Sequence, residues 1–518
     1  METIRNSFKI DSKSKEEIES FIKDLVEKYI KETSVLMDIK SHLDELTQEV
    51  SNHILSTSSL GTEYFLNTDN YTENVDKIKE IIKEKVAVLE ISLVLGIDKQ
   101  HITGNNNVYL ISPLPSTYPY NTPAPVSDKR LEIKKFMLDL CEKYTLRFEK
   151  CIFKCSINNI KQDNISLQEL NFYDCIFLKN IIFSNRISKI ACPHYFCFRN
   201  CNFEKEFQIK NATFSEKIIL ADCDFSTTSA IKIKRVIFQN KVEIYGCKIN
   251  NINISLSAFS NDTFFNHSTI NGYLKISQST FEKNISFYGV IFNQPPNILD
   301  SVFKEHINLV NTNLNFTYEN LQDKIKEAQK TIKTSSDFRD SFRLLKNALI
   351  KDNNLLDASN YHKNELYCKE IELDLKNPKL FSKEWIDKLQ LFIYRNLCDH
   401  HTDLLKNIKW LICTVTIYAI MSGQIGKTLS VLCIFFLIFF YFCAKKILSW
   451  FVLAVFIMAI AHNPTIIFGI ANIFSEKCPT YLWSHLWCNS TSVLYSIAML
   501  LILFSLQKTA RKNSIIPS

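Results

Sequence analysis

The segment FEKEFQIKNATFSEKIILADCDF, Phe203 to Phe225, decides the fold. Phe203, Phe214 and Phe225 stand eleven residues apart, and Ile209 and Leu220 fall between them. The apolar centres therefore step by six and five in alternation. That suits neither the period of a helix nor the alternation of a flat strand. The pattern returns downstream, where Ile270, Phe281, Phe292, Phe303 and Leu314 are again eleven apart. Ile244, Phe265, Ile276, Phe287 and Leu309 take the half-steps. A small or slim residue stands two positions before most eleven-step centres, as at Ala212, Cys223, Val236, Cys247, Ser257, Ser268, Ser279, Val290, Ser301 and Thr312.

A fixed period of this kind means one structural unit stacked on itself. With one inward side chain every five or six residues, four faces close a square turn of about 22 residues, and successive turns pair backbone to backbone at about 4.8 Å. The large centre fills the axis and the small residue fills the corner. From Phe148 to Leu314 this predicts seven or eight turns, with Cys223 and Cys247 in one column and Ser257, Ser279 and Ser301 in another. Asn185 to Phe196 and Ser226 to Val236 break phase, so bulges or loops are expected there.

The segments NATF (Asn211 to Phe214), DCDF (Asp222 to Phe225) and QSTF (Gln278 to Phe281) carry a resemblance to the pentapeptide repeat family. The likeness is to its degenerate, Phe-rich branch. The family's unit is a small residue, any residue, then a central Leu or Phe. The resemblance implies a right-handed quadrilateral β-helix and says little about chemistry. Some members of the family mimic DNA through an acidic surface. From Phe148 to Phe316 this chain carries 18 basic against 14 acidic residues, which does not imitate a polyanion.

Composition bounds the rest. The chain has 518 residues, 46% of them hydrophobic and 22% charged, enough for several packed domains. The net charge of +7 does not call for nucleic acid. Met1 to Lys15 lacks the apolar core of a secretory signal, so the N-terminus is expected in the cytoplasm. Sixteen cysteines are too sparse for a disulfide scaffold and read as small buried residues in a reducing compartment. Cys151 with Cys155, and Cys197 with Cys201, resemble half of a zinc site without a matching second half, so neither metal nor cofactor is expected.

Flanking modules complete a multidomain chain. Residues 1–107 form a helical head. Ile18, Ile22, Leu25 and Tyr29 make one stripe, Leu36 to Val50 a second, and Val75 to Leu93 a further helix. An antiparallel helical hairpin is preferred to an oligomerising coiled coil. Residues 108–130, with five prolines from Pro113 to Pro125, read as an extended linker. The β-helix then occupies residues 131–316, and residues 317–400 form a helical cap and neck. Phe342, Arg343, Leu345 and Lys346, followed by Ala358, Tyr361 and Glu365, resemble the helical-hairpin neck of membrane-attached pentapeptide repeat proteins, with Arg343 and Glu365 set to pair between helices. His362 beside Glu365 lacks the metal or nucleophile that catalysis would need.

Residues 401–518 read as a membrane domain of about four transmembrane helices, near Ile408–Ser422, Thr428–Ala444, Ile447–Ile473 and Ser492–Leu506. Lys388, Arg395, Lys406, Lys409, Lys445, Lys446, Lys508, Arg511 and Lys512 flank one side, against only Lys427 and Lys477 on the other. That bias keeps both termini cytoplasmic. His462 and Asn463 are the polar candidates among the apolar segments, and Cys478 with Cys488 is a candidate periplasmic disulfide. Cys398-Asp399-His400-His401 is expected to be a polar turn beside the membrane rather than a metal site. With the bacterial assignment that the resemblance implies, the chain is expected to be an inner-membrane scaffold. Its cytoplasmic β-helix would hold an unknown protein partner, with the lipid bilayer as the other contact. No enzymatic role is expected. The alternative is a channel or transporter regulated by the β-helix and assembled as a homo-oligomer.

Overall fold

The computed structural model describes residues 15–33, 41–57, 71–105, 107–113, 129–137, 140–158, 169–184, 190–192, 195–314, 316–327, 332–422, 432–433, 445–462, 464–467 and 482–510. The chain divides into two compact units, Met1–Asn313 and Leu314–Ser518.

The first unit opens with helices α1 (Lys15–Thr33), α2 (Leu43–Thr57) and α3 (Tyr71–Leu95). Ile22, Val26 and Ile30 of α1, Leu46, Val50 and Ile54 of α2, and Ile78, Ile82, Val86 and Leu89 of α3 share one core. The head is thus a three-helix cluster and not a hairpin. Each short stripe buries itself fully only by folding against the long third helix. The head is also tied to the β-structure: Glu90 of α3 is buried and accepts hydrogen bonds from Tyr144 Oη at 2.7 Å and Lys143 Nζ at 2.9 Å.

The β-structure begins earlier than the sequence suggests. Ile102–Asn105 and Val108–Ile111 form an antiparallel hairpin, and Val108–Ile111 pairs in parallel with Thr145–Glu149. The first residues assigned to a linker are therefore a strand, with Tyr109 and Ile111 buried in its core face. Residues 114–128 lie outside the described residues.

From there the chain winds as a parallel β-solenoid of about seven turns. One ladder runs Thr145–Glu149, Leu170–Tyr173, Phe196–Arg199, Ile218–Ala221, Val242–Tyr245, Thr263–Phe264, Ile285–Ser286 and Ile307–Asn308. A second ladder stacks Cys151–Phe153 through Ile291–Phe292, and a third runs from Ile190–Cys192 to Val302–Phe303. The long strands Asp224–Lys234 and Lys248–Ser255 of the second ladder pair along two separate columns, the other column holding Phe207–Lys210 and Leu274–Ser277. Partners such as Ile285 and Ile307, or Thr280 and Val302, are 22 residues apart.

The interior accounts for the phenylalanines. Phe203 and Phe225 stack at 4.3 Å, continuing a column from Phe153 and Phe177. Phe214, Phe238, Phe259, Phe281 and Phe303 form a second column, with centroid spacings of 5.5, 4.7, 4.5 and 5.1 Å. An eleven-residue step is thus half a turn and alternates between two columns. Phe225 leads through Ile249 to Ile270 and Phe292 by strand register. Phe203, Phe214, Phe225, Ile270, Phe281, Phe292 and Leu314 are buried, and Phe303 is half-buried. Each buried Phe contributes roughly 1.5–3 kcal/mol by area alone, and stacking adds about 0.5–1.5 kcal/mol.

The corner residues obey a second rule. Asn200, Asn211, Asp222, Arg235, Gly246, His267, Gln278, Gly289, Asp300 and Asn311 all have positive φ, each one place before a small residue such as Cys201, Ala212 or Cys223. Asn, Asp and Gly tolerate that left-handed conformation best, which is why they recur there. Cys151, Cys175, Cys201, Cys223 and Cys247 occupy one buried column, with Ser268 next. Ser257 N donates to Ser279 Oγ at 3.2 Å, and Ser279 N to Ser301 Oγ at 3.3 Å. The phase breaks are visible as longer turns. Leu170 and Phe196 are 26 residues apart, and the register shifts between Phe225 and Ala230. Residues 185–189 lie outside the described residues.

Candidate membrane-proximal site

The second unit is helical: α4 (Tyr318–Glu327), α5 (Ile332–Lys351), α6 (Leu355–Lys376), α7 (Lys383–Cys398), α8 (Leu404–Met421), α9 (Lys445–His462) and α10 (Leu482–Ala510). The α5–α6 hairpin is built by Phe342, Leu345 and Leu349 facing Ala358, Tyr361 and Ile371, all buried. Asn354 caps α6, its side chain accepting from Asp357 N at 3.3 Å.

A charged network runs through this neck. Arg343 Nε donates to Glu365 at 2.8 Å, joined by Lys346 at 2.8 Å and His362 at 3.2 Å. Burial works to raise the Glu365 carboxyl, but hydrogen bonds from His362, Lys346 and Arg343 outweigh it and hold it down at about 2. His362 with Glu365 thus belongs to a structural network. Arg395 of α7 grips Glu370 with contacts of 3.0 to 3.1 Å and lies 3.9 Å from the Tyr318 ring. Tyr318 Oη donates to Asp374 at 2.5 Å, and Tyr367 Oη donates to Asp399.

Two helices, Leu404–Met421 and Asn489–Ala510 within α10, are long and apolar enough to cross a membrane. They run antiparallel. Asn407 Nδ2 donates to Ser505 Oγ at 3.0 Å near one end, and at the other Tyr418 stacks on Tyr495 at 3.9 Å and meets Ser492 at 3.1 Å. Lys406 and Lys409 at the start of α8 therefore share an end with Lys508 of α10. The four expected spans become two among the described residues. The third is broken: α9 ends at His462, and a short 3-10 turn, Pro464–Ile467, follows. Its apolar part, Ser449–His462, is too short to count. Most of the second falls outside the described residues. His462 is exposed at the end of α9, while Asn463, Cys478 and the Cys488 side chain lie outside the described residues.

Before α8, helix α7 leaves a row of apolar side chains uncovered: Phe381 just ahead of it, then Ile386, Leu389 and Phe392. Ser382 caps this helix, and Trp410 Nε1 ties its end to α8 by donating to Asn396 O at 2.8 Å.

The turn from α7 to α8 is unusual. Asp399, His400 and His401 are three consecutive non-glycine residues in the left-handed region, with φ of 52°, 54° and 69°. Such backbone is costly and marks functional sites more often than chance. His400 is 2% exposed, and its Nε2 has no hydrogen-bond partner among the described residues. Burial pushes its imidazole down to about 3 against the pull of Asp399. Burial likewise pushes His401 down to about 4, helped by Lys508. His401 Nδ1 lies 3.4 Å from both Cys398 Sγ and Ser505 Oγ. A cavity of about 400 Å³ opens here, lined by His362 and Lys369 of α6, Asp387 of α7, His400, His401, and Lys508 of α10, among others.

No protein-family model, curated protein or solved structure matches the chain. The site therefore rests on its geometry alone. The expected polar turn at Cys398–His401 is present as a turn, but its histidines face a cavity. Nothing in the sequence marks Lys369, Asp387 and Lys508 as partners of that turn. They come from three helices, so no spacing along the chain could have grouped them.

Proposed function

We propose that the chain is a membrane-anchored scaffold whose β-solenoid binds a protein partner on the cytoplasmic side of a bacterial inner membrane. The observation that carries this reading is a long ladder-paired solenoid in one chain with two membrane-length helices whose basic ends coincide. The uncovered apolar row of α7, next to α8, supports an interfacial helix lying at the lipid surface. The four pairing columns and the eleven-residue half-turn support a quadrilateral β-helix, and the resemblance of its repeats to the pentapeptide family implies a right-handed one.

The test is expression of the full chain in a bacterial host, followed by alkaline carbonate washing and protease treatment of spheroplasts. The chain should stay in the membrane pellet, and the solenoid should be protected from external protease. Release by carbonate overturns the anchor, and cleavage of the solenoid from outside overturns its cytoplasmic placement. The channel alternative rests on His462, exposed at the end of an apolar helix. Ionic current abolished by His462→Ala would replace the scaffold reading with it.

A further inference from the structure

We propose that the cavity between the neck and the end of α10 binds the phosphate of an anionic lipid headgroup, an inference that rests on the membrane reading above. The cavity, about 400 Å³, falls within the range of small-ligand sites of about 300–1,000 Å³. Its charged lining sets Lys369 and Lys508 against one carboxylate, Asp387. His400 and His401 add imidazoles, each with one N–H in its neutral form, while His362, which also lines the cavity, gives its Nδ1–H to Glu365 at 3.2 Å.

The decisive feature is His400. It lines the cavity, is 2% exposed, and holds a buried ring nitrogen that nothing in the described residues satisfies. An orphaned buried polar atom is costly unless a ligand or water completes it. A turn of the His400 ring toward the cavity lets a phosphate oxygen accept from Nε2, with Lys508 and Lys369, the latter shared with Glu372 at 3.4 Å, balancing its charge.

The position selects a lipid over a soluble phosphate. Lys508 sits on the last turn of a membrane-length helix. One turn earlier Phe504, 61% exposed, lines the same cavity and offers apolar surface to an acyl chain. Basic pockets between membrane helices at headgroup depth suit anionic lipids for this reason.

The test uses the full chain, purified in a zwitterionic detergent and mixed with labelled phosphatidylglycerol, with phosphatidylcholine as control. Bound label is read with and without millimolar inorganic phosphate. The wild-type chain should retain phosphatidylglycerol at least about tenfold more tightly than phosphatidylcholine, and Lys369→Gln with Lys508→Gln should abolish that preference. His400→Gln, which keeps a donor, should lose less than His400→Leu. Thermal unfolding of each variant separates lost binding from lost folding. Complete displacement by inorganic phosphate overturns the lipid assignment in favour of a free anion. A preference unchanged in the double lysine variant overturns the site. A chain released by carbonate fails the membrane reading itself. A chain that stays inserted yet shows no lipid preference fails only this inference.

Discussion

The solenoid and the neck solve burial in opposite ways. In the solenoid the interior is mainly apolar, phenylalanines stack on one another over several turns, and every residue answers mainly to the turns above and below it. The neck instead buries Glu365, Glu370 and Glu372 among helices and neutralises them with Arg343, Lys346, Arg395, Arg339 and Lys376. Damage to the solenoid should therefore stay near its turn and depend little on acidity. Damage to the neck should spread through a shared network and respond to pH.

The largest expected effect is in the solenoid. Phe225→Ala removes a ring stacked at 4.3 Å on Phe203 and touching Phe207 at 6.0 Å, and should cost about 3–5 kcal/mol. Hydrogen exchange read by mass spectrometry should lose protection over the neighbouring turns and leave the neck peptides unchanged. The same change at Phe303, half-buried at the end of its stack, should cost less than half as much. Equal losses at both positions would break the nearest-neighbour picture.

Next comes the buried ion pair. Arg395→Met strands Glu370, 2% exposed, without its cation and should cost about 3 kcal/mol in the neck. The double variant Arg395→Met with Glu370→Leu should recover most of that loss. A double variant no better than the single one would show that Arg395 acts through Tyr318 and not through Glu370.

Acidification should separate the two regions gradually, without any substitution. The folded state holds His400 at about 3 and His401 at about 4, below the usual 6.5, so unfolding takes up protons between those values. Their neutral burial is fully tolerated above pH 6.5, and stability falls as pH drops below it. At pH 5 the loss is about 2 kcal/mol for each histidine. Asp399, His362, Arg395 and Lys508 are the charged or titratable neighbours acting on the pair. Glu365 joins only below pH 4.5, because its stabilising charge is then lost towards about 2. Neck peptides should lose protection between pH 7 and 5 while solenoid peptides hold theirs.

The same contrast explains which features are legible in the sequence. The solenoid follows a local rule, so the eleven-step series from Phe203 to Phe225 and from Ile270 to Leu314 names its columns without any long-range knowledge. Its corners carry a second local signal, the Asn, Asp and Gly before Ala212, Cys223 and Cys247, which the apolar period does not contain. The hairpin at Ile102–Ile111 is hidden because its strands are four residues each and its partner, Thr145–Glu149, lies beyond the prolines. The cavity is hidden for a stronger reason. Lys369, Asp387 and Lys508 meet only because α6, α7 and α10 pack together, and helix packing leaves no period in the chain.

The smallest effect tests the corner rule. Gly246 has φ +64°, and a Cβ there would stand 2.2 Å from Asp222 Oδ1 of the preceding turn. Gly246→Ala should cost about 1–2 kcal/mol, the penalty of left-handed backbone for a residue with a Cβ. The Asp222 carboxylate can rotate aside, so the clash adds little. Arg235 supplies the opposite case, a non-glycine residue already held at φ 56°. Arg235→Gly relieves that strain but frees the unfolded chain, so the two effects should nearly cancel, with a net change under about 1 kcal/mol. If the left-handed corners set the turn, the two variants differ in size although each exchanges glycine with another residue. If the buried columns alone set it, both variants cost the same small amount, and the repeat is held by its interior without help from its corners.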